Sequence, residues 1–408
     1  MRTQTRSRRW LRLTALLVVL GLTAVACSDN DDDPAAPSST GDGRGAATTT
    51  GGSDGGSATE GGSDGGAALG GLQDCPNPIV FQTDWFPEPE HGALYNLTAG
   101  KGDIEAESGV FTGPLAADPS IEVEIRAGGP FVGGQQTVAL MGIDDSVFLA
   151  YTNTDEAIQN YTTFPTKAVM APLDINPQII MWDPATYSID SWDQVKSTRA
   201  VISHSAGAAY TEYLVGAGLV DAEQLDPSYD GSPSRFVAEN GAIMQQGFAT
   251  QEPYKYEHDI EAWDRPVGFL LIHDSGYEVY QGALSILDSK LDDAARSCLT
   301  ALIPLVQQSA IDFQDDPEAT NELLLRIVDE MDTFWVLTED GVADTVTKME
   351  ELEIVGNGPD DTVGNFDLDR VNGLIDVIRT KVPSIKVPAD LTADDVVTNE
   401  FIDPSIGF

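Results

Sequence analysis

The sequence predicts an α/β protein built as two lobes. Three observations carry that expectation. From Cys75 onward about 330 residues remain, more than one compact core usually organises. Over that length short apolar runs alternate with amphipathic helical patterns, the rhythm of mostly parallel sheets with flanking helices. The C-terminal third then turns largely helical. In open α/β sheets ligands sit beyond the carboxyl ends of the strands. A cleft between the lobes, lined by the residues that follow each strand, is therefore expected.

The chain opens with a leader. Arg2, Arg6, Arg8, Arg9 and Arg12 precede the apolar run LTALLVVLGLTAVA. At 14 residues this run is short for a bilayer span. A basic flank, a short apolar core and small residues at its end mark an export signal over residues 1–26. AVAC resembles a bacterial lipobox, which would place a lipid on Cys27. Two or three acyl chains hold a protein at a membrane where one is marginal. The expected location is extracytoplasmic, lipid-anchored to the bacterial cell membrane. Residues 27–74 are rich in Gly, Ser and Asp and poor in large apolar side chains, so they read as a disordered tether.

The formal charge is −44, and loss of the five leader arginines takes it to −49. Such a surface excludes nucleic acid and anionic lipid as partners. The membrane is then met through the N-terminal lipid only, and a monomer is expected. Of three cysteines, Cys75 and Cys298 remain beyond Cys27. In an oxidising compartment, with each beside an apolar element, they are expected to form a disulfide. DLDRVNG, from Asp367, fails the calcium-loop spacing because Val371 stands where Asp or Asn is needed. No metal and no cofactor is expected.

The elements follow in order. IVFQTDW reads as a strand ending at Trp85. IEVEIRAGGP alternates Ile121, Val123 and Ile125 with charged residues, then breaks at Gly128 and Gly129. DSVFLAYTNTDEA gives an apolar run, a polar turn and a helix start. KAVMAPL and PQIIMW read as buried strands, DSWDQVK as a short helix and AVIS as a strand. AGAAYTEYLVGAG reads as a helix ending at glycine, ENGAIMQQGF as a short helix and VGFLLIH as a strand. Residues 293–313 and 320–337 read as helices. Pro304 should kink the first, and Leu324, Ile327, Val328, Met331 and Trp335 recur at helical spacing in the second. Val371, Leu374, Ile375 and Ile378 mark a last amphipathic helix.

The post-strand loops carry aromatic, hydroxyl, amide and acidic groups and almost no Lys or Arg. They suit a neutral or weakly cationic ring with hydrogen-bonding edges. One loop, SHSAG, is one letter from the G-x-S-x-G elbow that presents a nucleophilic serine. Ser203 stands where the elbow needs glycine, and His91–Gly92 is not the glycine-rich segment that would supply oxyanion donors. An exported α/β hydrolase using Ser205 is the alternative reading. The favoured one has Ser205 capping the helix that begins there, its neighbouring N–H groups turned to the cleft.

Asp84, Trp85, Pro87, His91 and Tyr95 form the pattern D-W-x-P-x-x-x-H-x-x-x-Y. With QQGFATQEPYKYE, from Gln245, and CLTALIPLVQQSAIDF, from Cys298, it resembles substrate-binding proteins of ABC importers. The branch is the one containing thiamine-pyrimidine-precursor, riboflavin, sulfonate and nitrate binders. The resemblance implies the type II periplasmic-binding-protein fold. The first lobe would span 75–183 and 272–408, with the second lobe at 184–271. It implies no catalysis: a small heteroaromatic ligand would be gripped by lobe closure and passed to a permease with its ATPase. Trp85 would stack on the ring, and Asp84, Glu90, His91 and Tyr95 would line its edge. Asn153, Thr154 and Trp182 would lie across the first-lobe side. His204, Ser205, Gly207, Thr250, Glu252 and Tyr254 would close from the second lobe. A pyrimidine synthase related to this branch needs a lysine and clustered cysteines that this chain lacks.

Overall fold

The computed structural model describes residues 69–408. The leader, Cys27 and the tether to residue 68 lie outside the described residues. The fold begins six residues before Cys75. Leu69–Asp74 form a 3-10 turn, and Leu72, 1% exposed, enters the first core. The turn lies so close to the helix Asp293–Asp315 that a Cβ on Gly71 would meet the Ser297 carbonyl at 2.4 Å. Cys75 and Cys298 are bonded across 223 residues of chain, with Cα atoms 4.8 Å apart.

The first sheet holds β1 (Ile79–Gln82), β2 (Asp103–Glu105), β3 (Val110–Leu115), β4 (Asp118–Arg126), β5 (Leu149–Thr152) and β6 (Thr166–Met170). The second holds β7 (Gln178–Trp182), β8 (Ile202–Ser203), β9 (Leu225–Asp226), β10 (Met244–Phe248) and β11 (Gly268–Leu271). The chain then returns to the first with β12 (Ala283–Leu287). Spatial orders are β2-β3-β4-β1-β5-β12-β6 and β11-β7-β10-β8-β9. β1 is fully buried, as its unbroken apolar run requires. β4 alternates, with Ile121, Val123 and Ile125 inward.

The sheets are mixed rather than mostly parallel. β4–β1–β5 and β10–β8–β9 run parallel. The β2–β3–β4 meander, the returning β12, and β7 against both its neighbours run antiparallel. β7 belongs to the second sheet, so the first crossing falls between Met170 and Gln178, one strand earlier than the expected boundary at 183. ENGAIMQQGF is not helical: its second half is β10, buried between β7 and β8. Gln245 and Gln246 inside that strand disguise its apolar run. The helix Glu318–Met331 stops at Asp332, whose φ of 46° is left-handed, so Trp335 lies beyond it. The helix Glu339–Glu351 was not foreseen.

The helix Leu368–Lys381 packs on a first-lobe helix, Thr154–Asn160, and a second-lobe helix, Ala209–Gly216. Its apolar face, Val371, Leu374, Ile375 and Ile378, joins a core shared by both lobes. From its first turn Arg370 reaches both crossing segments. It donates to Asp174 Oδ1 at 3.2 Å and to the Asp174 carbonyl at 2.8 Å on one. On the other it donates to the carbonyls of Glu278 at 3.0 Å and Val279 at 3.2 Å. Its guanidinium also lies 3.8 Å from the Tyr280 ring centroid. No helix among the described residues is long and apolar enough to cross a membrane.

Candidate ligand-binding site

The carboxyl ends of β1, β4, β5 and β6 point to one side of the first sheet, as the parallel and antiparallel pairings require. In the second sheet β7 starts at the crossing and runs away from it. β8, β10 and β11 therefore end on the crossing side. The loops after those strands meet there. A void is lined by Asp84, Glu88, Glu90 and His91 after β1, and by Tyr151 on β5. Leu173 and Pro177 of the first crossing, Gln281 and Gly282 of the second, and Phe248 of β10 complete it. With its open mouth it measures about 270 Å³.

His91 is 2% exposed. Its Nε2 lies 3.0 Å from Asp84 Oδ1 and 3.9 Å from Glu88 Oε1. The ring meets Tyr151 edge-on, centroids 5.0 Å apart. Glu90 is buried and accepts from Thr250 Oγ1 at 2.5 Å and Gln251 Nε2 at 3.2 Å. Thr345 Oγ1 donates to the Thr250 carbonyl at 2.9 Å, tying this network to the helix Glu339–Glu351. Burial, then Glu90 and Asp84, raise the Glu88 carboxyl well above its ordinary range. Burial also raises Asp155 and Glu252.

Glu156 is pushed up to about 8, first by burial and then by Asp155 and Asp84. A carboxyl raised in the folded state holds its proton there while the unfolded chain has already lost it. Stability therefore falls as pH rises from about 4.5 to about 8. Glu156→Gln should flatten that slope and leave the protein more stable at pH 8, by about 1–3 kcal/mol after allowing for its partial exposure. Urea midpoints at pH 5, 6.5 and 8 measure it. Parallel profiles for the two proteins would contradict the assignment.

The expected site residues divide. Asp84, Glu90 and His91 line the void, and Thr250 is bonded to Glu90. Glu252 accepts from the Phe248 N–H at 2.6 Å. Tyr254 lies with Lys255 and Thr338 around a second void of about 210 Å³. Trp85 is built into an aromatic cluster beside the site, edge-on to Phe86 and Trp335. Tyr95 is 1% exposed and packs on Phe111 in the first core. Asn153 and Thr154 hold the second crossing instead. Asn153 Oδ1 accepts from the Gly282 N–H and Thr154 Oγ1 from the Tyr280 N–H. Trp182 lies at the far end of the second lobe, because β7 runs outward. It is 4% exposed, against Gly268.

The SHSAG turn also differs from expectation. Gly207 has φ 81°, which interrupts the helix, so it starts at Ala209 with no side-chain cap. The Ser205 N–H is held by Gln246 Oε1 at 3.0 Å. Nδ1 of His204 lies 2.9 Å from the Ser205 carbonyl. No imidazole is hydrogen-bonded to Ser205 Oγ among the described residues. His273 is held well below its ordinary value, at about 4, by burial and by Arg370.

Sequence reading missed four groups. Glu88, Tyr151 and Glu156 adjoin residues it singled out, and no pattern separates them from their neighbours. Lys255 sits on a loop it singled out, yet part of its surroundings comes from two distant segments. Its Nζ lies 3.6 Å from the Trp335 ring centroid. Burial lowers its pKa, while Glu252, Glu88 and Glu90 act the other way. Trp335 stacks on Phe86 at an interplanar angle of 6°. Among the described residues no group of three or more His, Cys, Asp or Glu is placed to hold a metal ion.

No protein-family profile and no curated protein matches the chain. Solved structures do. A protein from Bordetella bronchiseptica aligns with a TM-score of 0.52 and 11% identity, over 80% of this chain and 96% of its own. An ABC transporter structure from Parabacteroides distasonis gives 0.46 and 11%, over 81% and 100%. The periplasmic aliphatic sulphonate binding protein of Escherichia coli gives 0.45 and 11%, over 67% and 84%. Identity this low speaks to fold alone. The fold is a two-lobed α/β arrangement of two mixed sheets with flanking helices, shared with the Bordetella structure.

Proposed function

We propose that this protein is the extracytoplasmic solute-binding subunit of an ABC importer, held at the membrane by a lipid on Cys27. It captures a small heteroaromatic solute between its lobes and presents it to a permease. One observation carries the reading. The void is lined at once by the first lobe, by both crossing segments and by Phe248 of the second lobe. A solute filling it touches every part that must move when the lobes separate, and so biases the closed state. A thiamine pyrimidine precursor and riboflavin are the leading candidates. The carboxylates around it disfavour sulfonate and nitrate. Ser205 contributes a backbone N–H held by Gln246, which does not favour the hydrolase alternative.

A thermal-shift panel tests this: hydroxymethylpyrimidine, formylaminopyrimidine, thiamine, riboflavin, taurine, nitrate and a short-chain ester. A compound at a hundred times its Kd adds about 2.7 kcal/mol, which moves the melting point by a few degrees. A shift with one pyrimidine, retained in Ser205→Ala, is expected. Ester turnover abolished by Ser205→Ala, with no shift from any ring compound, would overturn the reading.

A further inference from the structure

Two buried polar atoms, on side chains that line the void, have no partner. Nδ1 of His91 and the hydroxyl of Tyr151 are both unpaired, in side chains 2% and 1% exposed. Both residues line the same cavity. The His91 tautomer follows from its surroundings. Asp84 can only accept, so the proton on the 3.0 Å contact belongs to Nε2. Nδ1 has no partner in the protein, and in the neutral ring it is an acceptor. Leaving such atoms buried and unsatisfied is costly, and native sites keep them where a ligand or an ordered water completes them.

The charge around those atoms has one sign. Asp84, Glu88 and Glu90 line the void, and Glu156, in the first turn of the helix after β5 with Asp155, feels the charge of Asp84. Glu252 comes from the second lobe. Among the described residues the ammonium coupled to these carboxylates is that of Lys255, which is engaged over Trp335. An anion entering here would meet the carboxylates first.

Resting on the solute-binding reading above, we infer that the cleft selects a small organic cation bearing N–H donors. His91 Nδ1 and the Tyr151 hydroxyl accept its hydrogen bonds, and Glu88 supplies the opposing charge. An amidinium on a small ring has this chemistry: a flat, delocalised positive charge with donors along one edge. The raised carboxyls of Glu88 and Glu156 fit it. A cation near them favours their ionised forms, so binding releases protons and tightens as pH rises. The charged groups bearing on this pair are Asp84, Glu90, His91, Asp155, Glu252 and Lys255.

The test is an isosteric series, benzamidinium, benzamide and benzoate, titrated calorimetrically into the full chain in two buffers of different ionisation enthalpy. Benzamidinium should bind at least roughly tenfold tighter than benzamide, as expected of charge-assisted hydrogen bonds. Benzoate should give no heat, and protons should be released. Tyr151→Phe and Glu88→Gln should each weaken benzamidinium roughly tenfold without lowering the unliganded melting point. Equal binding of benzamide or benzoate, or unchanged affinity in both variants, overturns the inference while solute binding stands. No heat from any of the three also overturns it, and solute binding is then decided by the thermal-shift panel alone.

Discussion

Arg370→Met is expected to destabilise the protein by about 3–5 kcal/mol, the cost of stripping one partner from a buried pair. The guanidinium is 10% exposed and its carboxylate partner, Asp174, 25%. Burial already lifts the Asp174 carboxyl above its ordinary value, against the pull of Arg370. Without the arginine that carboxyl loses its counter-charge, and the carbonyls of Asp174, Glu278 and Val279 lose a shared donor. Arg370→Lys should recover only part of the loss, because a single ammonium cannot span both crossing segments as a planar fork does. Asp174→Asn should cost less than Arg370→Met, since the bonds to the three carbonyls persist. Urea midpoints of the three variants give the ranking. Arg370→Met within 1 kcal/mol of the parent, on the order of an exposed pair, would show that the crossings hold themselves.

Replacing both Cys75 and Cys298 with alanine should cost about 3–5 kcal/mol on the chain-entropy account of cross-links. The loop it opens is long, 223 residues. The unfolded chain becomes more expanded, so the urea dependence should steepen as the midpoint falls. Reductant should lower the parent's midpoint and leave the double variant unmoved. Equal stability of the two proteins would mean that the bond constrains nothing the fold does not already hold.

How much of this was legible depended on where the physics is local. β1, β4 and β5 were readable because burial on one or both faces writes an apolar run or an alternation into adjacent residues. Asp84, Glu90 and His91 were legible as lining of the void because they follow β1, and open α/β sheets leave a crevice beyond their strand ends. β10 was lost because Gln245 and Gln246 are buried as partners of Tyr256, Ser205 and Tyr210. Those partners are distant in sequence, so two glutamines looked like a polar helix. Trp182 was misplaced by direction rather than identity: nothing within PQIIMW says that the strand runs outward. Tyr95 kept the spacing of a site residue, yet its ring faces Phe111. Lys255 became visible only when Trp335 and the carboxylates of two loops were brought to it.

The interleaving of the sheets sets an order on synthesis. β5 and β6 are made before the second lobe, yet they do not touch each other as partners. β12 lies between them, and it leaves the ribosome only after all five strands of the second sheet. A chain growing from its N-terminus can complete the later lobe while the earlier one still has a gap in its middle. The half translated first is therefore the half finished last.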